Sequence, residues 1–106
     1  MKKIRDSGKL PDLVGEKISL DCSRSEVPWQ HLVGFFKKYP NAEYIDCPEG
    51  PQIMGHFKEL YEIEADKPLQ ITGKVVKVEG RPKRPRSKTD EKYVEYQILV
   101  DEWQYK

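Results

Sequence analysis

Apolar and polar residues alternate over several short stretches of this chain, and a period of two marks half-buried β-strands. Ile18, Leu20 and Cys22, separated by Ser19 and Asp21, form the first such stretch. Residues 42–47, with Tyr44 and Ile45, form the second, and Pro48-Glu49-Gly50-Pro51 is a turn signal. Residues 52–58 then read as the returning strand of a hairpin. Ile53, Phe57, Leu60 and Tyr61 also fit a helix, so the second half of that segment stays open to either form before Asp66-Lys67-Pro68. Over residues 69–79 the alternation is clearest: Leu69, Ile71, Gly73 and Val75 share one face, after which the parity moves to Val76 and Val78. Such a flip beside a glycine predicts a β-bulge or a sharp coil in the strand. Residues 93–105 give the last strand, with Val94, Tyr96, Ile98 and Val100 alternating before Trp103.

One segment has a different period. Pro28 opens a stretch in which Trp29, Leu32, Val33 and Phe36 recur at helical spacing, and Pro40 closes it. A short helix is predicted there, weakened by Gly34. Residues 1–9 read as a flexible polar tail, leaving residues 10–106 as the folded domain. The expected architecture is an all-β, five-stranded Greek-key barrel with a short helix in the connection after the first strand. Ile18, Leu20, Ile71, Val75, Ile98 and Val100 are its predicted core.

The 106 residues suit one domain. A formal net charge of +1 argues neither for nor against nucleic acid or membrane, but its distribution does more. Arg81, Lys83, Arg84, Arg86 and Lys88 crowd into residues 81–88 with no acid among them, whereas residues 43–66 are dominated by Glu and Asp. The opening residues carry Lys2, Lys3 and Arg5 but no apolar run of signal-peptide length, and no stretch has the length of a transmembrane helix. The cytoplasm is the expected location, with no membrane partner.

Three stretches carry a resemblance: PWQHL at residues 28–32, ITGKVVKVEGRPKRP at 71–85, and EYQILVDEW at 95–103. Together with the order of elements they resemble small prokaryotic single-domain proteins of the OB-fold family, over about residues 13–103. That resemblance implies a five-stranded barrel that binds an oligonucleotide or oligosaccharide, less often a protein, on the face of its second and third strands between two flanking loops. The chain departs from the commonest pattern by placing its helix signal after the first strand rather than between the third and fourth.

Binding of single strands needs cations for phosphates and exposed rings for bases. The first flanking connection offers Trp29, His31, Phe35, Lys37, Lys38 and Tyr39, and the second offers Arg81, Lys83, Arg84, Arg86 and Lys88. The helical spacing assigns Trp29 and Phe36 to the core, capping the open end of the barrel, so Tyr44 on the presumed binding face is the expected stacking residue. Cys22, His31, Cys47 and His56 are zinc-ligand types, but their spacing matches no common zinc arrangement, and no metal or cofactor is expected. A Cys22 to Cys47 disulfide is equally unexpected in a cytoplasmic protein. There is no Gly-rich phosphate loop and no GxSxG elbow, so no catalytic residue is assigned and a non-enzymatic module is expected. Two functions remain. One is binding of single-stranded DNA or RNA through the barrel face and residues 81–88; the other is protein interaction through that face or an exposed strand edge.

Overall fold

The computed structural model describes residues 1–32, 34–59, 62–80 and 93–106. Among them lie six strands, β1 (Lys2–Ile4), β2 (Lys17–Arg24), β3 (Asn41–Asp46), β4 (Ile53–Phe57), β5 (Leu69–Gly80) and β6 (Tyr93–Tyr105), and one 3-10 helix, Ser7–Leu13. The hydrogen bonds run β2-β3-β4-β6-β5, and β5 pairs back onto β2, so five strands close a ring with β1 added outside it. Pairing is antiparallel within the ring except between β4 and β6, which run parallel with Gly55 beside Ile98 and Phe57 beside Val100.

Alternation along each strand sends one set of side chains into the ring. Ile18, Leu20, Ile71, Val75, Ile98 and Val100 are all buried there in one cluster, joined by Leu10, Leu13, Ile45, Phe57 and Leu69. The period-two pattern therefore located β2 to β6 and their inward face.

The bulge expected beside Gly73 is present, but its extra residue belongs to the partner strand. Thr72 faces Glu102 while Gly73 faces Val100, which leaves Asp101 of β6 without an opposite residue. At this irregularity the two backbones approach so closely that a Cβ on Gly73 would lie 1.9 Å from the Leu99 carbonyl oxygen. The later change of parity has another cause. From Gly73 to Gly80 the register is unbroken, and Val78 is buried on the outer face, where a Cβ on Gly34 would come within 3.2 Å of it.

Two expectations are corrected. No helix forms over the described residues of 28–40: the chain there runs without regular structure to a turn at Lys37 and Lys38. Leu32 and Phe36 reach the outer face of the sheet from an irregular arm, so their helical spacing reflects contact with that surface and not a helical backbone.

The second correction concerns residues 1–9, which are part of the fold. β1 pairs in parallel with β2, Lys2 beside Ile18 and Ile4 beside Leu20. It occupies the stretch of β2 that β3 leaves open, since β3 meets β2 only at Ser23 and Arg24. The chain then hooks onto the turn after β3: the Ser7 N–H donates to the Glu49 carbonyl at 3.1 Å and the Ser7 hydroxyl to the Pro51 carbonyl at 2.5 Å. Gly50 lies between these two acceptors at φ 86°, where a side chain would be strained and would also collide with Ser7. The Asp6 carboxylate caps the 3-10 helix by accepting from the Gly8 N–H at 2.8 Å, and that helix delivers Leu10 and Leu13 to the core.

Candidate nucleic-acid interface

On β4, Ile53, Gly55 and Phe57 point inward, which sends Met54 and His56 to the outer face. Their antiparallel neighbours on β3 are Tyr44 and Ala42. On β6 the same alternation turns Glu95 and Gln97 outward while Ile98 enters the core. This outer face is covered by an arm, the described residues of 27–36, which side chains of the sheet hold in place.

The Leu32 N–H donates to Glu95 Oε2 at 2.7 Å, and the Leu32 carbonyl accepts from Gln97 Nε2 at 3.0 Å. Gln97 Oε1 in turn faces His56 Nε2 at 2.6 Å. His31 contacts the other oxygen of Glu95 through Nδ1 and Gln52 Oε1 through Nε2, the latter at 2.8 Å. The Gln52 amide is oriented by its two donor contacts, to the Val27 carbonyl at 2.9 Å and Asp46 Oδ1 at 3.2 Å. Both His31 ring nitrogens thus face acceptors. Phe36 packs edge-on against His56 at 4.8 Å between ring centroids.

Between arm and sheet lies a groove of about 360 Å³, lined by Trp29, His31, Tyr44, Met54 and His56 among others. The His31 and Tyr44 rings in its lining form a tilted pair with centroids 6.0 Å apart, and Tyr44 is half-buried. Trp29 is 65% exposed, which overturns its assignment to the core, and Phe35 on the same arm is 87% exposed. Among the described residues that line the groove there is no Lys or Arg. What it offers is flat, largely apolar surface with a few polar edges. Such a surface suits stacking better than charge pairing.

The expected site residues fall into three groups. Tyr44 stands in the groove. Lys37 and Lys38 are exposed on the turn that ends the arm, outside the groove lining. Arg81, Lys83, Arg84, Arg86 and Lys88 lie outside the described residues, in the connection from β5 to β6. The next residue of the arm, Tyr39, is anchored: its hydroxyl donates to Asp101 Oδ1 at 2.7 Å, and Lys58 sits 3.2 Å from the same carboxylate. The Tyr39 hydroxyl bond holds the Asp101 carboxyl below its ordinary range, with Lys58 and Lys17 adding to the effect against its partial burial. The unpaired bulge residue is thereby the point where the arm is tied back to the sheet.

Cys22 and Cys47 are free thiols. Burial pushes the Cys22 thiol far up and the Cys47 thiol up to about 12. With His31 committed to Glu95 and Gln52, and His56 to Gln97, these four residues are not gathered around a common point; among the described residues no three His, Cys, Asp or Glu side chains are grouped as a metal would need. A second groove, of about 560 Å³, is lined by Arg24, Glu43, Glu62, Ile63, Glu64 and Tyr105. Among its described lining residues the one cation, Arg24, is occupied, with Nε donating to the Ile63 carbonyl at 2.6 Å and the other nitrogens near Glu26 and Glu43. An acidic rim of this kind repels phosphate.

Glu95, Gln52 and Gln97 escaped the reading of the sequence. On an alternating strand, Glu95 and Gln97 occupy the polar positions, which normally face water, yet Gln97 is fully buried beneath the arm.

His56 gives this face a pH signature. Burial lowers the pKa of the ring from its ordinary 6.5, and the Gln97 contact opposes the shift without cancelling it. The unfolded chain therefore takes up a proton first as the solution is acidified. The stabilising contribution is complete above about 6.5 and is lost as pH falls from there through the folded value. Urea midpoints measured from about pH 7.5 down to about 5 should decline, and His56→Gln should flatten that decline. An equal slope in both proteins would remove His56 as its source.

Compared with protein-family models, curated proteins and solved structures, the chain gives no match. No helix among the described residues is long and apolar enough to cross a membrane. The functional reading therefore rests on the site itself.

Proposed function

We propose that the closed ring is a five-stranded OB-fold barrel, with β2 to β6 as its strands and β1 as an addition, and that the protein is a non-enzymatic module for single-stranded nucleic acid. In such a barrel, ligands lie on the face of the second and third strands, between the loop joining the first two and the loop joining the last two. Here those strands are β3 and β4, and the loops are the arm with its turn and the connection that holds residues 81–88. The observation that supports the reading best is the exposed Trp29 held beside Tyr44 over the β3 and β4 face, because sequence-tolerant binding of single strands uses rings on which bases stack. The groove supplies the rings, while Lys37 and Lys38 on the turn after the arm, and Arg81, Lys83, Arg84, Arg86 and Lys88 in the connection from β5 to β6, supply charge for phosphates.

Fluorescence anisotropy with labelled DNA and RNA oligomers tests this. Affinity should fall with salt at a slope of roughly −0.7 for each phosphate contact. Changing Lys83, Arg84 and Arg86 together to Gln should flatten the slope and weaken all sequences alike, with circular dichroism confirming an intact fold. Tyr44→Ala should cost about 1 to 3 kcal/mol of stacking and leave the slope unchanged. Absence of binding at low salt would end the proposal.

The exposure of Val27, Trp29 and Phe35 together on the arm favours a second reading, a protein-interaction module that uses the same face. The salt series separates the two, because an apolar protein contact lacks the phosphate slope.

A further inference from the structure

We infer that Glu95 is a positioning residue of this site, one that holds the arm so that Trp29 stands ready at the groove before any ligand arrives. The inference rests on the nucleic-acid reading for the identity of the ligand, but its geometric basis is independent of it. Glu95 lies near the start of β6, opposite Val78 of β5, and the alternation of the strand points it at the arm. One carboxylate oxygen takes the His31 ring and the other takes the Leu32 N–H. Two residues along the same face, Gln97 takes the carbonyl of Leu32.

The Leu32 residue is therefore held on both its polar groups by two side chains of one strand, in place of the backbone that a neighbouring strand would supply. His31 extends the hold through Gln52 to the Val27 carbonyl. From residue 27 to residue 32 the arm is secured on both sides of Trp29, while the Trp29 ring itself remains mostly in solvent. Its place at the groove mouth is therefore set less by its own packing than by these flanking contacts. The Trp29 N–H bond to the Val27 carbonyl, 3.1 Å, is the local link between them.

A stacking platform fixed in advance spares the ligand the entropy of ordering it, and that is the contribution Glu95 makes. It carries negative charge into a site for polyanions, where a direct ligand contact would be repulsive; its partners are the arm's own Leu32 N–H and His31 ring. Removing it should loosen the arm without altering the number of phosphate contacts.

The test is a double-mutant cycle on oligomer affinity with Glu95→Ala and Trp29→Ala, accompanied by hydrogen exchange of the Leu32 amide in the free protein. Glu95→Ala should weaken binding about tenfold with the salt slope unchanged, and should have little further effect once Trp29 is gone. Glu95→Gln, which still accepts from the Leu32 N–H, should lie between and guards against a failure to fold. In the free protein, Glu95→Ala should speed exchange at Leu32 while core strands keep their protection. Independent, additive losses from Glu95 and Trp29 would overturn the inference, as would unchanged exchange at Leu32. If the wild-type protein bound no oligomer while Glu95→Ala still released Leu32, the ligand assignment would fall and the positioning of the arm would stand.

Discussion

Gly73→Ala is expected to destabilise the protein by about 3 kcal/mol or more, at the upper end of what overpacking costs and enough to unfold a domain of ordinary marginal stability. The added methyl would lie 1.9 Å from the Leu99 oxygen, 2.7 Å from the Leu99 carbonyl carbon and 3.0 Å from the Val100 Cα. All three are main-chain atoms of β6, so no rotamer change relieves the collision. Relief would require β6 to move away from β5 at the place where it also pairs with β4 through Ile98 and Val100. Equilibrium urea unfolding, or soluble yield if the variant does not fold, measures the effect. A midpoint equal to that of the wild type would show that the backbones are not in contact there.

Ile98→Ala is expected to cost about 2 to 5 kcal/mol, and Ile71→Ala a similar amount, because each removes fully buried methylenes from the centre of the ring. Ile98 stands beside Val75 on one side and Gly55 on the other, so the space left by its truncation is bounded by three strands that cannot close independently. Ile98→Val, which removes a single methylene, should cost only about 0.5 to 1.5 kcal/mol. Chemical denaturation of the pair gives the comparison. Equal losses for the Val and Ala variants would mean that the cavity contributes nothing, and that the position is not a packed core site.

These positions were legible because a strand declares its buried face through local alternation. Leu20, Ile71 and Ile98 needed no knowledge of their partners to be placed inside. The bulge beside Gly73 was anticipated from a change of parity that has another cause, and alternation could not tell that the extra residue, Asp101, sits on the opposite strand. Three features were hidden for a common reason: each depends on something distant in the chain. β1 has no alternation to announce it, and its place comes from backbone bonds to β2 and from Ser7 reaching the turn at Glu49 and Pro51. The arm mimicked a helix because Leu32 and Phe36 fall at helical spacing while resting on Gly80 and His56, whose positions the local pattern does not contain. Glu95 and Gln97 looked solvent-facing because alternation puts them on the outer face of the sheet; that surface would be wet if the arm did not lie across it and bury Gln97 completely. Trp29 followed from the same error, since a residue counted on the inner stripe of a helix is on the outside of the irregular arm. Of the candidate site, Tyr44 was accessible to sequence reasoning because it lies on a regular strand.

The position of β1 also bears on how separate molecules meet. A strand with one unpaired side presents a row of free amide and carbonyl groups, and such a row can template the addition of another chain and, repeated, the growth of fibrils. β1 covers part of β2 with its inner side, and its outer side has no strand partner among the described residues. Two of its three residues are Lys2 and Lys3, both exposed. Bringing two such edges together would set ammonium groups of like charge against each other, and the strand is too short to compensate with many backbone bonds. The strand that covers the stretch of β2 left open by β3 is thus also one that discourages aggregation along its own outer edge.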